Sequence, residues 1–234
     1  MSEPQFPPLL TGLDAEGRDP FALACEMAEA GCDGGTLVHS VRADRLQAAV
    51  IFAPEVPLAE AAAVLVVCGV GLQNALGALA PPEVAVHLEW DGGIRVNGGA
   101  CGRLSLAGNT RDPEAVPGWL VVGLDLTLIR LAEAPGETPD VTSLYDEGCA
   151  EVDPVGLLEA YARHMLVWLN RWDDEGNRPL HAEWSGLAWG LNGAAGVAGR
   201  SGVFIGTDER FGMLLRDGET THLVPLSALV EEGP

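Results

Sequence analysis

Residues 61–82 carry no charged side chain, an uninterrupted run that admits only two folded environments. A helix of about 20 apolar residues can span a bilayer; inside a globular protein it must be enclosed on nearly every side. The run is rich in alanine, contains Gly69, Gly71, Gln73, Asn74 and Gly77, and is flanked by Glu60 and Glu83 rather than arginine. Weak hydrophobicity without cationic anchors is a poor membrane signal. It is read as a core helix over 57–79, stopped by Pro81-Pro82, and the rest of the chain must supply the layers around it.

Those layers are legible as two further helices and several strands. Asp19 as N-cap, Pro20 in the first turn and Gly31 as a stop predict a helix over 20–30. Asp153 and Pro154 start another over 154–172, with Leu157, Leu158, Tyr161, Met165, Trp168 and Trp172 as its apolar stripe and Asp173-Asp174-Glu175-Gly176 as its end. Strands are expected at 36–40 and 46–53, joined by Val41-Arg42-Ala43-Asp44-Arg45. Alternation then marks 84–90, 94–97, 102–107 and 119–131, with Asp91-Gly92-Gly93 and Asn97-Gly98-Gly99 as turns. The reading is α+β: a mostly antiparallel mixed sheet with helices on one face. A Pro- and Gly-rich loop spans 134–140. Short β-type runs at 202–207, 211–216 and 220–225 suit a small β-barrel from about residue 188.

Charge narrows the function classes. There are 13 Lys+Arg against 34 Asp+Glu, a net −21, and every cation is an arginine. A Walker phosphate loop and a Schiff-base lysine are thereby excluded, and nucleic acid as a partner is opposed by repulsion from phosphates. The five cysteines form no CxxC pair, and residues 1–8 do not resemble a secretory leader, so reduced thiols in the cytoplasm, away from any membrane, are expected.

The run Glu89-Trp90-Asp91-Gly92-Gly93-Ile94-Arg95-Val96-Asn97-Gly98, followed by Cys101-Gly102-Arg103-Leu104, resembles a signature of the biotin and lipoate protein ligases. There a Lys-Trp-Pro-Asn-Asp run leads through a hairpin into Arg-Lys-Leu-Ala-Gly-Ile-Leu. Val122-Gly123-Leu124-Asp125-Leu126-Thr127 is similar to the family's Gly-Ile-Gly-Ile-Asn strand. Thr142-Ser143-Leu144-Tyr145 and the helices from Asp153 through Trp184 follow its later part, and Ile205-Gly206-Thr207-Asp208 with Gly212 to Arg216 looks like its SH3-like C-terminal barrel. The resemblance implies a core like that of class II aminoacyl-tRNA synthetases over residues 1–186 and an SH3-like barrel over 187–234. It also implies a small-molecule acid of biotin, lipoate or octanoate type, and a biotinyl- or lipoyl-carrier domain as partner. ATP and Mg²⁺ are implied only if ligase activity is retained.

The family activates its acid as an acyl-adenylate, which demands positive charge around phosphate and carboxylate. Here Glu89 stands where the first signature lysine would be, the second falls near Gly99 or Ala100, and the arginine-rich loop shrinks to His39–Arg45. Losing one preorganised electrostatic partner commonly costs about 2.7–4 kcal/mol of transition-state stabilisation. Weak or lost adenylation is therefore expected, with an active ligase or a non-catalytic interaction module as alternatives.

The candidate ligand-binding residues are His39, Arg42, Arg45, Trp90, Gly102, Arg103 and Asp125, expected to converge where Trp90, the 97–102 hairpin and the 39–45 loop meet. Arg42 and Arg45 are a carboxylate fork or surface partners of Asp44. Arg103, on the face of Ser105, is a replacement for the missing lysine or an ordinary strand arginine. Trp90 is a pocket wall or a core aromatic. Cys101 is a catalytic thiol if His39 or His87 lies beside it, and a buried structural cysteine otherwise. Asp125 is a strand carboxylate or, with Thr127, a divalent-cation ligand. His164, His181 and His222 carry no ligand spacing, and no metal cluster is visible.

Overall fold

A computed structural model describes residues 3–130, 138, 140–197 and 199–232. The first strand, β1 (Thr11–Asp14), pairs in parallel with β2 (Thr36–Val41); β2 turns antiparallel into β3 (Arg45–Phe52). The next strands are β4 (Val86–Leu88), β5 (Gly93–Val96), β6 (Gly99–Gly108) and β7 (Leu120–Thr127). They assemble in the order β1-β2-β3-β7-β6-β5-β4.

Both long helices foreseen from their caps are present. In α1 (Pro20–Glu29) the Asp19 carboxylate accepts the Ala22 N–H at 2.8 Å, and Gly31 follows at φ 88°. The uncharged run forms α2 (Leu58–Ala61) and α3 (Val64–Leu79). They are separate because the bonds tighten to i−3 at Ala63 and Leu65. Every residue from Val64 to Leu72 is buried, so the run is the core helix rather than a lipid-facing one. It packs on α4 (Pro154–Glu175), whose start is capped by Asp153 accepting Gly156 N–H at 2.8 Å and which ends at Gly176, φ 72°. The approach is close: a Cβ on Gly71 would lie 2.8 Å from the Met165 Cα. A further helix, α5 (Asn177–Leu187), follows Gly176 directly.

The helices do not all lie on one face. Leu46, Ala48 and Val50 of β3, with Leu120, Val122 and Leu124 of β7, face α3 and α4; Ala49, Ile51 and Val121, of opposite parity, face α1. Two apolar parities on the central strands require a helix on each side. The α1 cover is partial, however. Towards the other ends of the same strands that parity turns polar, with Arg45, Gln47, Arg103, Ser105 and Asp125, and the face lies open.

The tail forms β8 (Ala194–Val197), β9 (Arg200–Thr207), β10 (Met213–Asp217) and β11 (Thr220–Val224), an antiparallel sheet in the order β11-β10-β9-β8. Among the described residues β8 and β11 do not pair, so this sheet is open rather than a closed barrel. A short 3₁₀ turn, Leu226–Leu229, then leads to β12 (Val230–Glu232), which returns to the main sheet beside β6. The run expected at 211–216 starts at Met213, because Phe211 is held at φ 62° in the preceding turn. The strand expected over 119–131 stops at Thr127, where Leu128 turns to donate to the Asp44 carbonyl; Leu131 and most of the 134–140 loop lie outside the described residues.

Candidate functional site

The uncovered polar part of the α1 face is a cleft of about 160 Å³, walled by Asp19, Pro20 and Phe21 at the start of α1 and floored by Gln47, Arg103, Ser105, Gly123 and Asp125. Three neighbouring strands aim one side chain each into it by register: Gln47 of β3 opposes Asp125 of β7, which opposes Arg103 of β6. Phe21 packs against the strand at Gly123, where a Cβ would lie 2.5 Å from its ring.

The charges in this cleft are already matched. Asp125 Oδ2 accepts from Arg45 Nη1 at 3.3 Å and from Gln47 Nε2 at 3.1 Å. Arg103 donates to the Asp91 carboxylate at 3.4 Å and to the Asp91 carbonyl at 3.1 Å. Two guanidinium groups thus meet three carboxylates, counting Asp19. These pairs are half exposed and worth at most about 1 kcal/mol each, yet an incoming anion must displace or outbid them.

The structure brings Arg45, Arg103 and Asp125 together and leaves the other expected residues elsewhere. Arg42 lies on the β2–β3 hairpin with its Nε 3.6 Å from Asp44 Oδ1, more than half exposed. Gly102 has the opposite parity, and a Cβ there would strike the Asp125 carbonyl. His39 faces α4 on the far side of the sheet. Trp90 also belongs to the α3 side: it is 5% exposed, and its Nε1 donates to the Phe211 carbonyl at 2.6 Å. The convergence expected around Trp90 therefore does not occur: Trp90, in the β4–β5 turn, is drawn into the core by its bond to Phe211, while the parity of β6 sends Arg103 to the α1 face.

Cys101 does not meet the conditions for a nucleophile. It is buried, its Sγ donates to the Thr127 carbonyl at 3.5 Å, and neither His39 nor His87 is bonded to it. Burial, reinforced by Cys149, Glu147 and Asp146, pushes its pKa up to about 12. Asp125 is engaged by Arg45 and Gln47, and among the described residues no group of three His, Cys, Asp or Glu side chains could hold a metal. Glu89 accepts from Arg95 Nε at 2.6 Å, and Arg95 in turn donates to the Gly98 carbonyl and stacks over Trp189 at 5.2 Å. The acid at the signature position thus closes a hairpin clamp. Gln47, Asp19, Phe21 and Asp91 line or support the cleft without having been singled out as site residues. Gln47 could have been found from its i+2 relation to Arg45; the others depend on how α1 and the β5 hairpin dock.

A core of this topology with a polar cleft beside one helix start defines a class of protein, and the comparisons give the family. The chain matches the biotin/lipoate A/B protein ligase family over residues 6–186, and belongs to it; residues 193–232 match a "Domain of unknown function (DUF4444)". The crystal structure of a biotin protein ligase-like protein from Silicibacter sp. TM1040 is 58% identical, with a TM-score of 0.93, covering 98% of this chain and all of that one. The biotin protein ligase of Aquifex aeolicus shares the fold at 16% identity and a TM-score of 0.72, over 92% of this chain and 95% of that one. A biotin–[acetyl-CoA-carboxylase] ligase of Paracoccus denitrificans is 26% identical over 167 residues, 68% of each chain.

Proposed function

We propose that this protein is a divergent family member that binds a small carboxylic acid of biotin, lipoate or octanoate type in the α1 cleft, with weak or lost adenylation. The observation that carries this reading is that, among the described residues, the cations near the cleft are paired. Arg45 and Arg103 are matched by Asp125 and Asp91, and Glu89, where the family signature has lysine, is bound to Arg95. A triphosphate needs unpaired positive charge or metal ligands, and the residues present do not fit one. Residues 1–186 form the acid-binding unit and 187–234 an appended unit. A carrier domain as partner and a cytoplasmic location, in keeping with five free cysteines, belong to the same reading.

The test is ATP–pyrophosphate exchange with Mg²⁺ and biotin, lipoate or octanoate, alongside equilibrium binding of each acid. The expected result is binding with negligible exchange, weakened by Arg45→Ala and Arg103→Ala by about 1.5–3 kcal/mol, as for charge-assisted hydrogen bonds. Arg42→Ala should behave like the distant Arg216→Ala, with no loss. Exchange at an ordinary ligase rate would overturn the reading in favour of an active ligase or acyltransferase. Equal small effects at all four arginines would leave a scaffold used only for protein interaction.

A further inference from the structure

A second and larger cavity, about 730 Å³, lies on the α4 side of the sheet at its β1 edge, so the sheet separates it from the cleft. Its volume is in the range of small-molecule sites. The segment before β1 folds back over the sheet to form its outer wall. The Gln5 N–H donates to Glu159 Oε1 of α4 at 2.8 Å, and the Phe6 ring lies against the backbone of Gly12, where no Cβ would fit. Phe6, Val41 and Val155 make apolar walls, and Glu3 and Asp14 stand at the rim.

Into this cavity faces His39, only 6% exposed, its ring 5.6 Å from that of Phe6 and its Nδ1 without a hydrogen-bond partner. A buried polar nitrogen left unpaired in a folded protein is costly enough to ask for a partner. Burial lowers the pKa of the ring against the opposing pull of Asp14 and Glu3, so the imidazole retains an acceptor nitrogen. The Asp14 carboxylate has one oxygen engaged, Oδ1 accepting the Glu16 N–H at 2.7 Å. Among the described residues no arginine lines the cavity, and the N-terminus of α4 is answered by its own cap, Asp153. The donor set rejects an anion, and among the described residues it is too dispersed for a metal ion.

We propose that this cavity binds a primary alkylammonium group. The carboxylates of Asp14 and Glu3 take its charge, His39 accepts one of its N–H bonds, and Phe6, Val41 and Val155 enclose the carbon stem, with the Phe6 ring adding cation–π attraction. The net charge of −21 draws such a cation in. The chain contains no lysine, so none of its own side chains supplies an ammonium; the group comes from a free amine or from the lysine of another protein. This does not rest on the acid-binding reading, because the two sites lie on opposite faces of the sheet.

The test is ¹H–¹⁵N NMR of the histidine rings of the whole chain, with His39 assigned through His39→Gln. It is titrated with n-butylammonium, with Nα-acetyl-lysine amide and, as a control, with butyrate. The expected result is a saturable shift of His39 by n-butylammonium that leaves His164 and His222 unmoved, and no response to butyrate. The double variant Glu3→Gln, Asp14→Asn, altered at exposed positions that folding tolerates, should bind about tenfold or more weakly, the loss of a charge-assisted hydrogen bond. A matching response to Nα-acetyl-lysine amide identifies a lysine side chain as an acceptable source, and its absence a free amine. The proposal is overturned if n-butylammonium shifts no ring or all rings alike, or if the double variant binds as tightly as the parent.

Discussion

Trp90→Phe tests whether the best-matched signature residue serves the ligand or the fold. The substitution keeps an aromatic ring and deletes one donor, the Nε1–H that reaches the Phe211 carbonyl at 2.6 Å. Phe211 is not an ordinary acceptor. It is 1% exposed, sits at φ 62°, and packs against the Trp184 ring at 6.4 Å and the His181 ring at 5.5 Å. A left-handed non-glycine residue persists only where its surroundings over-determine it. Here Asp208 bonds the N–H groups of Arg210 and Gly212 on one side of the turn, and Trp90 grips the carbonyl on the other. Removing the donor leaves a buried carbonyl unpaired, about 1–3 kcal/mol, and shrinking indole to phenyl adds about 1–2 kcal/mol of lost packing. The expected loss is about 3 kcal/mol in urea unfolding, with hydrogen exchange accelerated first at Phe211 and Gly212 and acid binding in the cleft unchanged. Stability within about 0.5 kcal/mol of the parent, the range of ordinary surface changes, would refute this, as would intact stability with lost acid affinity.

Three further outcomes follow from the same geometry. Glu89→Lys should cost about 1–2 kcal/mol, between an exposed and a buried pair, because it sets a second cation beside Arg95; urea midpoints check this, and pyrophosphate exchange should not rise. Gly71→Ala should destabilise by about 1–3 kcal/mol despite the better helix propensity of alanine, since the new methyl meets the Met165 backbone; differential scanning calorimetry would show a lower Tm. For His39 the sign is set by its depressed folded pKa. The unfolded chain takes up the proton first, so stability falls as pH drops through about 6.5, and His39→Gln should flatten the urea midpoint between about pH 7.5 and 5.5 relative to the parent; parallel curves would show that His39 titrates normally.

Much of the scaffold is written locally. Asp19 with Pro20 and Asp153 with Pro154 start their helices through bonds that reach only three residues along the chain, so no tertiary knowledge is needed to read them. The uncharged run needed only the absence of anchors to be assigned to the core. Alternation likewise identified β3, β6 and β7 and put Arg103 and Ser105 on one side of a strand. What alternation cannot say is which distant element covers each side. That depends on packing, and it decided that α1 lies opposite α3 and α4, that Arg45, Gln47, Arg103 and Asp125 share a cleft, and that His39 and Trp90 are excluded from it. The hydrogen bond that fixes Trp90 joins residues 121 positions apart, and β12 returns to β6 from the far end of the chain. Local propensity carries no signal across such separations, because their entropic cost is met only when the whole core closes at once.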